Sequence, residues 1–187
     1  MNLTRTIDSA SEPVSLSEAR SQLRILNTDN DESLRLFIAS IRQQTETFLA
    51  KTLITSTWEL KLDKFEEEML LPMSPIQSIS SIIYDDDDGI SQTLSATLYQ
   101  FDKKGRLKPA YDEDWPDTRD QYDAVTITYV TGESDAGQVK DDIKLAMLIW
   151  IATCDGNRED VVTGTIVSSM PITAKNLLSP YKNWQMS

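Results

Sequence analysis

Histidine is absent from these 187 residues, which removes every imidazole-based triad, proton relay and His-ligated zinc site from consideration. Cysteine is nearly absent as well. The single Cys154 permits no internal disulfide, and its place in an apolar stretch marks it as packing material, not a nucleophile. Only six glycines occur, none of them in a GxxxxGK or GxGxxG pattern, so no phosphate-cradling loop is present. A serine nucleophile would need lysine as its base, and no Ser-x-x-Lys falls in a strand-to-helix turn. Basic charge is scarce too. Against 30 acidic residues stand 18 basic ones, for a net charge of −12, which repels phosphate backbones and anionic lipid instead of gripping them. No apolar run approaches the ~20 residues that a bilayer span requires. The opening MNLTRTIDSASEP lacks the apolar core of a signal peptide, so residence in a cytoplasm is the expectation.

Among the residues present, the most apolar stretch is DDIKLAMLIWIATCDGNRE, residues 141–159. Ile143, Ala146, Met147, Trp150, Ile151 and Cys154 recur at helical spacing, and Leu145, Leu148, Ile149 and Ala152 fill the faces between them. A helix apolar nearly all round must be buried nearly all round, so its cover is expected to come partly from another subunit. Asp141 and Asp142 suit its N-terminus, and Gly156 with Asn157 suits its end. Upstream, Ser15 and Glu18 form a capping-box pattern ahead of Leu16, Ala19 and Leu23. Leu34, Phe37, Ile38, Ile41, Thr45, Phe48 and Leu49 then make a long helical ladder whose outer face carries Arg35, Arg42, Gln43, Glu46 and Lys51.

From Leu53 the period becomes alternating. Trp58, Leu60 and Leu62 mark one strand, Ile76 to Tyr84 a second, Thr93 to Phe101 a third, and Ala124 to Val130 a last one with Val125, Ile127 and Tyr129 on one face. Asp88-Gly89 and Lys103-Lys104-Gly105 read as tight turns, and residues 109–123 as an acidic loop. Residues 160–170 read as a loop or an extended hairpin, and Pro171 opens a short helix stopped by Pro180. The expected class is α+β: a small helical bundle, with helices near 16–26, 31–50, 141–156 and 172–179, interrupted by an antiparallel β insertion. Residues 12–52 with 134–187 form its core, 53–133 the insertion, and 1–11 a flexible N-terminal arm.

Two constellations invite chemistry. Asp85 to Asp88 are carboxylates in a row, but an EF-hand alternates its ligands and places Gly sixth and Glu twelfth; here Gly89 is fifth, and a solvated turn is the better reading. Glu59-Leu60-Lys61 is similar to half of a Mg²⁺ nuclease site. No aspartate on a preceding strand completes it, and both residues lie on the polar side of a strand. No catalytic residue, cofactor or metal site is therefore assigned.

Several stretches, taken in order, resemble tailed-bacteriophage head-tail connector proteins, also called adaptor or head-completion proteins and sometimes labelled possible DNA-packaging proteins. They are Glu12-Pro13-Val14-Ser15-Leu16-Ser17-Glu18-Ala19; Asp31-Glu32; Thr45-Glu46 leading to Leu53-Ile54-Thr55-Ser56-Thr57-Trp58; and Leu71-Pro72 with Pro75-Ile76 and Tyr84. The Asp88-Gly89 turn, Val125-Thr126-Ile127-Thr128-Tyr129 with Gly132, and Ile143 to Arg158-Glu159 continue the series, which covers about residues 12–183. Lys140 stands where that family often has proline. The resemblance implies a non-enzymatic ring component of a virion neck, made in the host cytoplasm. It would sit beneath the portal protein, extend the DNA channel, complete the packaged head and offer a docking surface to the next neck or tail-completion protein. DNA would pass without specific binding, and a ring of about twelve head-to-tail subunits is implied. Trp150, Ile151, Leu177, Leu178, Tyr181 and Trp184 are the candidate interface residues, with docking of Tyr181 and Trp184 on their own subunit an equal alternative for that pair. A tail-side completion protein and, further off, a metal-dependent packaging nuclease are the other readings.

Overall fold

A computed structural model describes residues 2–156 and 170–184. The class is mixed α+β: among the described residues there are four α-helices and eight strands, and the strands form two antiparallel sheets, so the β part is substantial. The chain divides into two compact units, one of residues 1–10 and 55–133, the other of residues 11–54 and 134–187.

In the first unit, β1 (Asn2–Ile7), β2 (Ser56–Leu62), β8 (Val125–Thr131), β4 (Ile76–Asp85) and β5 (Ser91–Thr93) lie side by side in that order, all antiparallel. A smaller sheet joins β3 (Met69–Leu70), β7 (Arg106–Pro109) and β6 (Tyr99–Phe101). Alternation along β8 explains its central place: Val125, Ile127, Tyr129 and Thr131 are buried while the residues between them are half-buried. Ile127 lies opposite Leu60 on one side and Ile82 on the other, and these three share a core with Met69, Leu71, Ile76, Leu94, Leu107 and Tyr129. Burial pushes the Tyr129 phenol up, and its hydroxyl donates to the Pro72 carbonyl at 3.2 Å.

Residues 2–7 are not a free arm. They pair along β2, with Leu3 opposite Leu60 and Arg5 opposite Trp58. Leu3 packs against the sheet core, and the Arg5 guanidinium lies 4.6 Å from the Trp58 ring centroid. An arginine on the inner side hides the period-two pattern from a hydrophobicity count. The expected strand from Thr93 to Phe101 is also two strands, β5 and β6, which belong to different sheets. Between them the Leu98 N–H donates to the Ser95 carbonyl, a turn that carries the chain from one sheet to the other. Gly105 closes the β6–β7 hairpin at φ 99°, and a Cβ there would lie 2.4 Å from the Leu71 carbonyl oxygen.

The second unit holds α1 (Leu16–Leu23), α2 (Asp31–Leu49), α3 (Asp141–Gly156) and α4 (Ile172–Leu178). The Ser15 hydroxyl accepts from the Glu18 N–H while the Glu18 carboxylate accepts from the Ser15 N–H, so the capping box is complete. The Ser15 hydroxyl also donates to that carboxylate at 2.6 Å, and this bond foremost, with the one from the Ser15 N–H, holds the Glu18 carboxyl below the usual carboxylate range. Helix α1 ends earlier than its apolar residues suggest, because Arg24 adopts φ 56° and its N–H caps the Arg20 and Ser21 carbonyls. Arg20 then pairs with Asp31, joining the end of α1 to the start of α2. Helix α4 ends at Leu178, and Pro180 sits inside the 3-10 turn, Ser179–Tyr181, that follows it. The loop or hairpin expected at 160–170 lies outside the described residues except for Met170, which packs on the helical core.

Candidate functional site

Helix α3 packs against α1, α2 and α4. Its inward residues are Ile143, Ala146, Met147, Trp150 and Ile151, which join Leu34, Ile38, Ile41 and Leu49 of α2 in one core. Trp150 is 3% exposed and Ile151 is fully buried within the single chain. Both are core residues, and a neighbouring subunit has nothing of them to cover. Leu178 is fully buried too. On an all-round apolar helix the sequence does not distinguish the face that its own chain covers; the packing of the other helices decides that.

The face left over is Leu145, Leu148, Ile149 and Ala152, which recur at i, i+3, i+4 and i+7 and so form one continuous stripe. Leu145 is 46% exposed and the other three are half-buried. Beside Leu148 a depression of about 490 Å³, lined by Glu18, Ser21, Gln22 and Arg24, extends the open area over α1.

The remaining candidates divide. Leu177 and Tyr181 are partly buried against the helical core, and the Tyr181 hydroxyl donates to the Asp142 carboxylate at 2.7 Å, a bond that raises the phenol above its ordinary value. Trp184 is 70% exposed. The backbone beside it is nonetheless held: the Asn183 N–H donates to the Leu49 carbonyl at 2.8 Å, and the Lys182 ammonium lies 5.5 Å from the Phe48 ring and 4.8 Å from that of Trp184. The C-terminal segment thus docks on the end of α2 while its indole faces outward.

One constellation lies where the sequence suggested a solvated face. Arg42 is 2% exposed and Glu46 fully buried. The Arg42 Nε donates to Glu12 Oε2 at 2.8 Å, its Nη1 lies 3.3 Å from Glu46 Oε2, and Glu46 Oε1 accepts the Leu53 N–H at 2.9 Å. The cluster joins the segment before α1, the last turns of α2 and the chain that leaves α2. Its signal was present in the spacing: positions 38, 42, 46 and 49 step by four, four and three, so Arg42 and Glu46 border the apolar ladder.

In the β unit the acidic residues serve turns. Asp86 accepts the Ile90 N–H at 2.8 Å and the Gln92 side-chain amide at 2.9 Å, and the latter foremost lowers its pKa. Asp85 accepts from the Gln121 amide at 2.6 Å, which fastens the acidic loop to this turn. Glu59 and Lys61 lie 3.6 Å apart, both partly exposed, along one strand. Among the described residues no three His, Cys, Asp or Glu side chains converge as a metal site would need, and no helix is long and apolar enough to cross a membrane.

A family model described as head completion protein matches residues 13–183. No curated protein matches the chain. Among solved structures, a chain of the neck of an empty GTA particle computed with C6 symmetry is similar at 17% identity and TM-score 0.77, over 98% of this chain and 96% of that one. A chain of the virion of a native gene transfer agent (GTA) particle is similar at 18% identity and TM-score 0.78, over 98% and 96% of the two chains. A chain of the neck of a native GTA particle computed with C12 symmetry matches at 17% identity and TM-score 0.71, with the same coverage of 98% and 96%. At these identities the likeness is one of fold.

Proposed function

Because this chain belongs to the head completion protein family, we propose that it is a structural, non-catalytic subunit of the neck of a phage-like virion. It forms a ring below the portal, of about twelve copies in head-to-tail contact. The ring extends the DNA channel, completes the filled head and presents a surface to the next neck or tail component. The observation that carries this reading is the family match across residues 13–183; the shared fold with chains from GTA necks supports it.

The physical chemistry agrees. A net charge of −12 keeps a channel-lining subunit from holding the duplex that slides past it. The open stripe Leu145, Leu148, Ile149 and Ala152 is the apolar surface we assign to contact with an adjoining copy, with the outward Trp184 and the half-buried Leu177 and Tyr181 as the C-terminal contact. In this reading the helical unit is the connector core, and the β unit joins residues 1–10 to the segment 55–133 that interrupts it.

The test is electron microscopy of the purified protein mixed with portal-bearing heads. Added ring density below the portal is expected. Heads that remain bare under conditions that assemble the rest of the neck would overturn the proposal; a monomer in solution would not, since closure can require the portal as template.

A further inference from the structure

The five-stranded sheet ends on two open edges. On one side β1 pairs with β2, and no described strand lies on its other side. On the far side β5 covers only Ile83 to Asp85 of β4, with one further bond from the Leu94 N–H to the Ile82 carbonyl. The earlier part, Gln77 to Ser81, pairs with β8 inwardly and with no described strand outwardly. An open edge displays a row of backbone donors and acceptors, and lone sheets commonly guard it with charge, proline or a bulge. Gln77-Ser78-Ile79-Ser80-Ser81 contains neither charge nor proline, and its bulges, like the one at Arg5/Ile7 in β1, are the only such device on these edges among the described residues. In β1 the one charge is that of Arg5, and it is turned onto Trp58 and Asp8 of its own unit.

The two edges also match each other. One is six residues long and the other five. Strands β1, β2, β8 and β4 alternate in direction, so the first and fourth run opposite ways. A copy carried round a ring in head-to-tail fashion therefore sets its β1 antiparallel to the β4 of its neighbour, and alternation continues across the junction. Asn2, Thr4, Thr6, Ser78 and Ser80 are exposed along these edges, all uncharged, so no like charges meet. Bulges at Ile76/Ser78 and Ile79/Ser81 bend β4, and the added strand must follow that bend.

We propose that β1 of one copy pairs antiparallel with Gln77 to Ser81 of the next, joining the sheets edge to edge around the ring. The partner is a second copy of this chain, and the inference rests on the ring reading above. The heterologous form is the one favoured, because two different edges are what head-to-tail closure requires.

Disulfide trapping tests it. In a Cys154→Ser background, Thr4→Cys or Thr6→Cys is combined with Ser78→Cys or Ser80→Cys, all at exposed positions that leave the fold unchanged by circular dichroism. The full-length variants are assembled on portal-bearing heads, imaged, oxidised and run on non-reducing gels. In an antiparallel pairing, Thr4 with Ser80 and Thr6 with Ser78 share one register, so those two variants should respond together. The expected result is a ladder of covalent multimers from the combinations of one register, at least tenfold above the others, and no ladder from any single cysteine. Ring density without a ladder from any combination would overturn the edge pairing while the ring stands. Dimers from Thr4→Cys alone at equal yield would overturn it in favour of a β1–β1 contact. Bare heads would remove the ring reading itself, and the pairing with it.

Discussion

Glu46→Ala strikes at the buried ion pair of the helical unit. The substitution removes the buried carboxylate from Arg42, itself only 2% exposed, and the acceptor from the Leu53 N–H. Breaking a buried ion pair from one side costs ~3–5 kcal/mol; because Arg42 keeps Glu12 at 2.8 Å as a partner, the lower end, ~3 kcal/mol, is expected here. In a chain of this size 1 kcal/mol moves the melting point by roughly 2–4 °C, so a fall of roughly 6–12 °C is expected in a melt followed at the helical circular-dichroism band. Replacing both partners by apolar groups of similar length, Arg42→Met with Glu46→Leu, removes the stranded charge. What remains is the unsatisfied Leu53 amide, at ~1–3 kcal/mol, while the Glu12 carboxylate, 30% exposed, is left to solvent. The double variant should therefore be more stable than the single one. A loss below ~1 kcal/mol for Glu46→Ala, or a double variant no better than the single, would refute the claim that the pair is desolvated and that charge compensation dominates its energetics.

Other perturbations separate the elements. Leu178→Asp should cost several kcal/mol and yield insoluble protein, since the side chain is fully buried, whereas Leu177→Asp, at a half-buried position, should fold and be tested for attachment to heads. Gly105→Ala forces a Cβ against the Leu71 carbonyl at a positive φ, and a loss of ~1–3 kcal/mol is expected in denaturant titration. The pH dependence of Glu18 has a defined sign. Its folded pKa is lowered from 4.5, so its contribution is complete above the unfolded value and is lost as pH falls through the folded one. Glu18→Gln should flatten that acid limb of stability measured between about pH 3 and 6, and Ser15→Ala should remove ~1 kcal/mol at neutral pH through the lost cap.

Features encoded within a few residues were legible in the sequence. The Ser15–Glu18 box, the α2 ladder and the alternation in β8 each depend on spacings inside one element, and each stands in the structure as read. Features decided by what packs on what were not. Arg42 and Glu46 look like surface residues by type, and only the approach of Glu12 and Leu53 turns their border position into a buried one. Strand β1 is hidden in the sequence because Arg5 takes an inward place that an apolar residue usually fills. Trp150 and Ile151 lie on the face of α3 that its own chain covers, and the face left open is the neighbouring one. The identity of an apolar helix is local information; the choice of its free side is not.

The open stripe on α3 and the open edges of the sheet differ in kind, and the proposed ring has use for both. Apolar burial is non-directional and scales with area, so the stripe can supply affinity but cannot by itself fix how one copy meets the next. Backbone pairing fixes register, since a slip of one residue turns every side chain to the other face, yet its net energy per bond is small. A ring needs affinity and a fixed angle at each junction, because a head-to-tail contact at the wrong angle gives an open filament in place of a closed circle. Each copy also brings a net charge of −12, whose mutual repulsion opposes close approach and is screened beyond ~10 Å at ordinary salt. Contacts that form against such a field must be short-ranged, and the strand edges and the aliphatic helix stripe proposed for them are both of that sort.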